Sequence, residues 1–180
     1  MVYQAFRPEI GDHAARFGRF GDQFSLSRMS WIKPNFLWMM YRCGWGTKPG
    51  QEVVLAIHLR RSAFDDFLGQ SVQTTFTRDV YSDEASWKAQ AEQAEALVQW
   101  DPDHDPTGDK LQRRAIQIGL RGRALARYAR EAIVDIEDIS TFVCEQHALV
   151  LSREWLRLLT PREAIYPVID GDVAARLGLP

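Results

Sequence analysis

The sequence predicts an α+β protein in which helices flank a mixed, mostly antiparallel β-sheet. Glu52 to Leu59 (EVVLAIHL) is a continuous apolar run, which is typical of a strand buried in the centre of a sheet. Further strand patterns lie at Val2 to Phe6 and at Arg114 to Leu120, with helix patterns grouped between them. No strand is followed by the glycine fingerprint of a dinucleotide-binding βαβ unit, so a doubly wound fold is not expected.

The first third of the chain has clear helix signals. Pro8 suits the first turn of a helix, and Gly18 suits its end. A second helix is predicted from about Pro34 to Arg42, after a short strand or turn that runs through Lys33. Its sequence, PNFLWMMYR, leaves almost no polar side, so we expect this helix to be buried nearly all round.

No linker or internal repeat divides the remaining elements, so residues 1–180 are predicted to form a single domain. The other predicted strands are Thr74 to Tyr81 and Ala132 to Ile136. The other predicted helices are Ser62 to Leu68, Ser82 to Val98, Gly122 to Arg130, one that starts at Asp138, one at the capping box Thr160-Pro161-Arg162-Glu163, and Asp172 to Leu177. Asp101 to Asp109 (DPDHDPTGD) is predicted to be a loop.

Composition limits the classes of partner. The net charge of −2 gives no overall basic field that would indicate nucleic acid, and no apolar run is long enough to span a membrane. Cys43 and Cys144 do not make a disulfide framework, so free thiols and a cytoplasmic location are expected. The cations are 18 Arg against 4 Lys, which reflects either genome composition or the use of guanidinium groups on phosphates and carboxylates.

The strongest candidate site lies in two segments near the start of the chain. If the segments pair, their polar groups converge beside a tryptophan. A dinucleotide such as NAD needs this mixture, because cations bind its pyrophosphate, an aromatic face stacks on a ring, and a hydroxyl or amide binds a ribose. The residues concerned are Gln4, Arg7, Arg28, Ser30, Trp31, Lys33 and Tyr41. The alternative is that Trp31 is a core residue and that the arginines form surface ion pairs.

Two other features are candidates for chemistry. Gln117 is polar in the middle of an apolar strand, and a cleft explains this amide better than a core does. The second feature is a run of acids at Asp101, Asp103, Asp105 and Asp109, with His104 among them, which resembles the start of a calcium loop. The sixth position is not glycine and the twelfth is Gln112 rather than Glu, so a solvated turn is favoured and no metal ligand is assigned.

Several stretches resemble the domain-of-unknown-function family 4291. They are YQAFRPEI, RMSWIKPNFLWMMYRCGW with TKPGQE, VLAIHLRR with Phe64, VQWDPDHD and RRAIQIGLRG, and the resemblance ends in PREAIYPV. It covers nearly the whole chain. The family name implies no reaction.

The order of elements also resembles the ADP-ribosyltransferase fold. That resemblance implies a first strand carrying His or Arg, a second carrying Ser or Tyr, and a late strand carrying a catalytic Glu. Gln4, with Arg7 nearby, falls at the first position, Ser30 and Trp31 fall at the second, and Gln117 falls at the third. Gln4 and Gln117 depart from the pattern, and a glutamine cannot stabilise an oxocarbenium-like centre by charge as a carboxylate does.

The leading hypothesis is therefore an ADP-ribosyltransferase-like protein with an NAD or nucleotide cleft. In it, Arg7, Arg28 and Lys33 hold the pyrophosphate, and Trp31 or Tyr41 stacks on a ring. Gln117 orients the nicotinamide ribose, and Gln117 and Arg7 are the candidate catalytic residues. If ADP-ribose is transferred, the acceptor is a protein, a nucleic acid or water, and another acid such as Glu52 or Asp101 supplies the charge. One alternative is a non-catalytic protein that binds RNA or a nucleotide through the same groups. The other is a metal-dependent hydrolase centred on Asp101 to Asp109.

Overall fold

The computed structural model describes residues 1–179. The strands are β1 (Val2–Phe6), β2 (Ser30–Ile32), β3 (Val53–Leu59), β4 (Val72–Gln73), β5 (Ala96–His104), β6 (Lys110–Leu120) and β7 (Ile133–Asp138). The α-helices are α1 (Pro8–Phe17), α2 (Phe36–Cys43), α3 (Arg61–Gly69), α4 (Glu84–Gln93), α5 (Gly122–Arg127), α6 (Ser140–Ser152) and α7 (Gly171–Leu177). A π-helical turn at Tyr128–Ala132 joins α5 to β7.

The strands form two sheets, so the prediction of α+β is confirmed, whereas the expectation of one sheet is too simple. The first sheet has the order β1-β3-β7 and is antiparallel, with the apolar strand β3 in its centre as its sequence predicted. The second has the order β2-β6-β5-β4, and only its β4–β5 pair is parallel. A single bridge between Tyr3 and Lys33 links β1 to the residue after β2. The two sheets therefore meet at this point.

The apolar side chains pack in two clusters on opposite sides of the first sheet. One cluster joins Leu55 and Ile57 of β3 to the inner face of the second sheet. The other holds α2 against Tyr3 and Val54. Five consecutive residues of α2, Phe36–Met40, are buried, so the expectation of a nearly enclosed helix holds for that part, although Tyr41 and Arg42 are exposed.

Four sequence predictions about local structure are wrong. Residues 74–81 form turns rather than a strand, since β4 ends at Gln73. The helix predicted to end at Val98 ends at Gln93, because the apolar residues after it belong to β5. The predicted loop at Asp101 begins inside β5, which continues to His104. The capping box at Thr160 starts no helix, because the carboxylate of Glu163 accepts a hydrogen bond from the backbone N–H of Leu37 in α2 instead.

None of the helices in residues 1–179 combines the length and the apolar character that crossing a bilayer requires.

Candidate functional site

A cleft of about 640 Å³ lies at the junction of the two sheets, and it brings together most of the predicted site residues. Its lining residues include Gln4, Arg7, Arg28, Ser30, Trp31 and Lys33. Met39 and Arg42 of α2 and residues 49–51 also line it. We refer to this space as the front cleft.

An isolated antiparallel bridge joins β1 to the residue after β2 and positions the cationic side chains of the front cleft. The backbone N–H of Tyr3 donates to the carbonyl of Lys33 over 2.7 Å, and the bridge is antiparallel. Along β1, Arg7 lies four residues beyond Tyr3, roughly 13 Å at about 3.3 Å per residue, and Arg28 precedes β2 whereas Lys33 follows it. Lys33 therefore lies toward one end of the cleft, while Arg7 and Arg28 lie toward the other.

Gln4 connects β1 to β2 and to the π-helical turn through its side-chain amide. Its amide nitrogen donates to Ser30 Oγ at 2.9 Å and to the carbonyl of Trp31 at 3.0 Å. Its amide oxygen accepts from the hydroxyl of Tyr128 at 2.5 Å, at the start of the π-helical turn. Burial raises the pKa of Tyr128 well above its usual value, so the phenol remains a donor. Gln4 was predicted to bind a cofactor, but these three bonds already use both ends of its amide.

Replacing Gln4 by leucine is therefore expected to destabilise the fold. The change leaves the buried hydroxyl of Tyr128 without an acceptor and removes both bonds to β2, which together lower the free energy of unfolding by roughly 1–3 kcal/mol. Chemical denaturation measures this. The matched control is Gln51→Leu, because Gln51 lines the same cleft without a side-chain hydrogen bond to residues 1–179, and it should change stability by less than about 0.5 kcal/mol. Equal effects of the two variants would contradict the connecting role of Gln4.

Lys33 is the most unusual group in the front cleft. It is only 5% exposed, yet its ammonium has no hydrogen-bond acceptor and no carboxylate partner within residues 1–179. Burial, assisted by the positive charge of Arg42, lowers the pKa of Lys33 from 10.5 to about 8. A buried charge is normally paired because leaving water is unfavourable for it. Within residues 1–179, the protein thus holds a largely buried cation at this end of the cleft without a counter-ion.

The other cations of the front cleft are exposed. Arg7 lies within 3.5 Å of Glu9 and donates to Gln23 Oε1 at 3.4 Å, both weak contacts. Arg28 and Arg42 form no side-chain ion pair within residues 1–179. The lining contains four cations and, within that described part of the chain, no Asp or Glu. A protein of net charge −2 therefore concentrates positive charge in one cleft.

Trp31 lines the front cleft and packs closely against β6. It pairs with Gly119, and a Cβ at Gly119 would lie 2.8 Å from the indole ring and 2.8 Å from the sulfur of Met29. Only glycine leaves room for both side chains. Gly119 therefore lets the tryptophan pack closely against β6 while part of its side chain still lines the cleft.

Two predicted site residues do not line the front cleft. Tyr41 is 45% exposed and stacks on His104, with ring centroids 3.8 Å apart. Gln117 lies on the face of the second sheet that faces away from the core, beside Gly119, and its amide donates to the side chain of Gln99 on β5. The stacking role predicted for Tyr41 and the ribose-binding role predicted for Gln117 gain no support from their positions.

The acidic side chains between Asp101 and Asp109 form structural contacts within the protein. Asp105 accepts from the backbone N–H groups of Thr107 and Asp109 at 2.8 and 3.0 Å, which is an aspartate-stabilised turn. Asp103 is fully buried and binds Arg113 at 2.7 Å and Asn35 at 2.9 Å. Nowhere in residues 1–179 do three or more His, Cys, Asp or Glu side chains gather in a way that could hold a metal ion.

Sequence reasoning missed a second polar centre, which we call the buried acid pair, Asp103 and Glu163. Arg113 on β6 lies between them, 2.7 Å from Asp103 and 3.3 Å from Glu163. Burial and the charge of Asp103 raise the pKa of Glu163 to about 7. Asp103 and Arg113 are only ten residues apart, but Glu163 lies 50 residues beyond Arg113, and no signal in the sequence indicated that it reaches β6.

Comparison with known proteins gives a family but no activity. The model of the family described as "Domain of unknown function (DUF4291)" matches residues 1–166. No curated protein matches the chain, and no solved structure does.

Proposed function

This chain belongs to the DUF4291 family of unknown function, and from the front cleft we propose that it binds a phosphate-bearing nucleotide, with NAD as the leading candidate. The observation that carries this proposal is Lys33, a buried ammonium that has no partner among residues 1–179 and lies in a cleft lined by three arginines. Phosphate oxygens form strong charge-assisted hydrogen bonds with such groups. Trp31 adds an aromatic surface for a base, and the volume of about 640 Å³ lies in the range of small-molecule sites.

The front cleft supports binding of the nucleotide better than transfer of ADP-ribose. Transfer needs a group that stabilises a positively charged sugar, and a carboxylate is the usual one. The lining within residues 1–179 supplies cations and amides instead. Glu52, which follows the lining residue Gln51, already accepts from the backbone N–H of Gly50 at 2.8 Å. We therefore propose nucleotide binding as the primary function, with a protein or nucleic-acid acceptor belonging only to the transferase hypothesis.

Thermal unfolding with ligands tests the proposal. A ligand that binds only the folded protein stabilises it by about 2.7 kcal/mol at one hundred times its Kd, which is roughly 5–10 °C in Tm for a chain of this size. We expect this rise with NAD or ADP-ribose, and a clearly smaller one with Arg28→Ala at the same ligand concentration.

The matched control is Arg19→Ala, because Arg19 is also exposed but does not line the front cleft. It should respond like the wild type. A response to short single-stranded RNA but to neither nucleotide would favour the RNA-binding alternative. No rise with any of these ligands would refute the proposed function, and nicotinamide release from NAD, followed in the same samples, reports whether transfer or hydrolysis also occurs.

A further inference from the structure

Resting on the proposed function, the geometry points to Lys33 as the group that makes the front cleft selective for phosphate, and we propose that nucleotide binding is coupled to uptake of a proton by its amine. The ligand phosphate would be the counter-ion that residues 1–179 do not supply. Arg42, whose charge acts on Lys33, would bind the same phosphate from α2.

Among residues 1–179, no carboxylate lies beside Lys33 as a counter-ion, and the one group whose charge would raise its pKa is the thiol of Cys43. From α2, Arg42 is a second cation and Cys43 is a buried thiol whose pKa is raised by burial, so it stays neutral. From β1, the adjacent groups are the neutral side chains of Tyr3 and Gln4. Arg7 and Arg28 complete the charged lining toward the other end.

A bound anion raises the pKa of the Lys33 amine. In the free protein, burial and Arg42 favour the neutral form, which keeps the pKa of Lys33 near 8. A phosphate beside the amine favours the charged form, so the pKa rises on binding. At pH 8 about half of the free protein carries the proton and nearly all of the complex does, so binding takes up roughly half a proton. The terminal phosphate of ADP titrates near pH 6 and is almost fully ionised at pH 8, so it takes no part in this proton uptake.

The same coupling fixes how affinity depends on pH. Between pH 7 and pH 9 the protonated fraction of free Lys33 falls from about nine-tenths to about one-tenth, so the Kd should rise by up to about tenfold. Arginine at position 33 would keep its charge over this range, so Lys33→Arg should bind without this pH dependence. Lys33→Met removes the cation and should weaken binding by roughly tenfold to a hundredfold.

Isothermal titration of ADP into the wild type, Lys33→Arg and Lys33→Met tests this coupling. Each titration is made at pH 8 in two buffers with different ionisation enthalpies, since the difference in measured heat gives the number of protons taken up. We expect uptake of roughly half a proton by the wild type, and none by Lys33→Arg or Lys33→Met. Arg19→Ala controls for a non-specific change in surface charge.

The outcomes separate this inference from the proposed function. Wild-type binding without proton uptake, or equal affinity in Lys33→Met, would overturn the inference about Lys33 but leave nucleotide binding intact. Absence of binding by the wild type to ADP, NAD and ADP-ribose alike would refute both. Circular dichroism shows whether each variant is folded, and Lys33→Arg keeps the test decisive if the methionine variant is not.

Discussion

Replacing Lys33 by methionine is expected to stabilise the free protein, although it weakens nucleotide binding. The lowered pKa, about 8 against 10.5, means that the folded state holds the charged amine less favourably than the unfolded state does. At pH 7 this difference corresponds to roughly 3 kcal/mol. Methionine has a similar length and no charge, so we expect an increase in the free energy of unfolding of the order of 1–3 kcal/mol, measured by chemical denaturation.

The stability gained by Lys33→Met is expected to decrease as the pH rises. Below pH 8 both states of the wild type carry the proton, so the folded state bears the full unfavourable term. Between about pH 8 and 10.5 the folded state loses the proton first, so wild-type stability rises and the advantage of Lys33→Met shrinks. Arg28→Met, at an exposed cation of the same cleft, should change stability by less than about 0.5 kcal/mol. A clear loss of stability in Lys33→Met would show that the amine has a partner in the free protein.

Replacing Arg113 by methionine is expected to have the opposite effect and a larger one. Asp103 is fully buried, and the Glu163 side chain is only 7% exposed, so removal of Arg113 leaves two carboxylates together without a cation. Breaking a buried ion pair in this way destabilises by roughly 3–5 kcal/mol, or about 6–20 °C in Tm for a chain of this size. The control is Arg114→Met on the same strand, where the side chain is exposed, and its effect should stay under about 1 kcal/mol.

The size of the Arg113→Met effect should also depend on pH. An acid whose pKa is raised in the folded state is unfavourable above that pKa, and the unfavourable term disappears as pH falls toward the value of the unfolded chain. For Glu163 that window runs from about pH 7 down to 4.5. The destabilisation should therefore be smaller at pH 5 than at pH 8, and Glu163→Gln should restore part of it at pH 8. An effect that is equal at both pH values would mean that lost packing, rather than charge, is responsible.

The sequence predicted the parts of the fold that depend on local signals. β1 and β3 have the predicted apolar character, and α1 begins at Pro8 and ends before Gly18, which has the left-handed backbone of a helix end. The boundary at Gln93 was missed because the polar helix α4 runs directly into the apolar start of β5 without proline or glycine. β5 is stabilised by hydrogen bonding to β6, and local propensity does not report such contacts with a neighbouring strand.

In the candidate site, too, the sequence predicted the features that depend on local signals and missed those that depend on contacts between distant residues. Gln4 and Lys33 were placed in one cleft because both segments carried polar groups near strand ends, and the Tyr3–Lys33 bridge joins them. Whether an amide is free or already engaged is a question of three-dimensional contacts, so the use of Gln4 by Tyr128 could not be predicted. The buried acid pair was missed for the same reason, since Glu163 reaches the start of α2 from 126 residues along the chain.

The most direct test of the account is a crystal structure of the protein soaked with NAD. We predict a phosphate group in the front cleft, with one of its oxygens roughly 2.7–2.9 Å from Lys33 Nζ and with the Arg42 side chain turned toward it. NAD bound outside the front cleft, or bound in it with Lys33 left without a phosphate contact, would contradict the account.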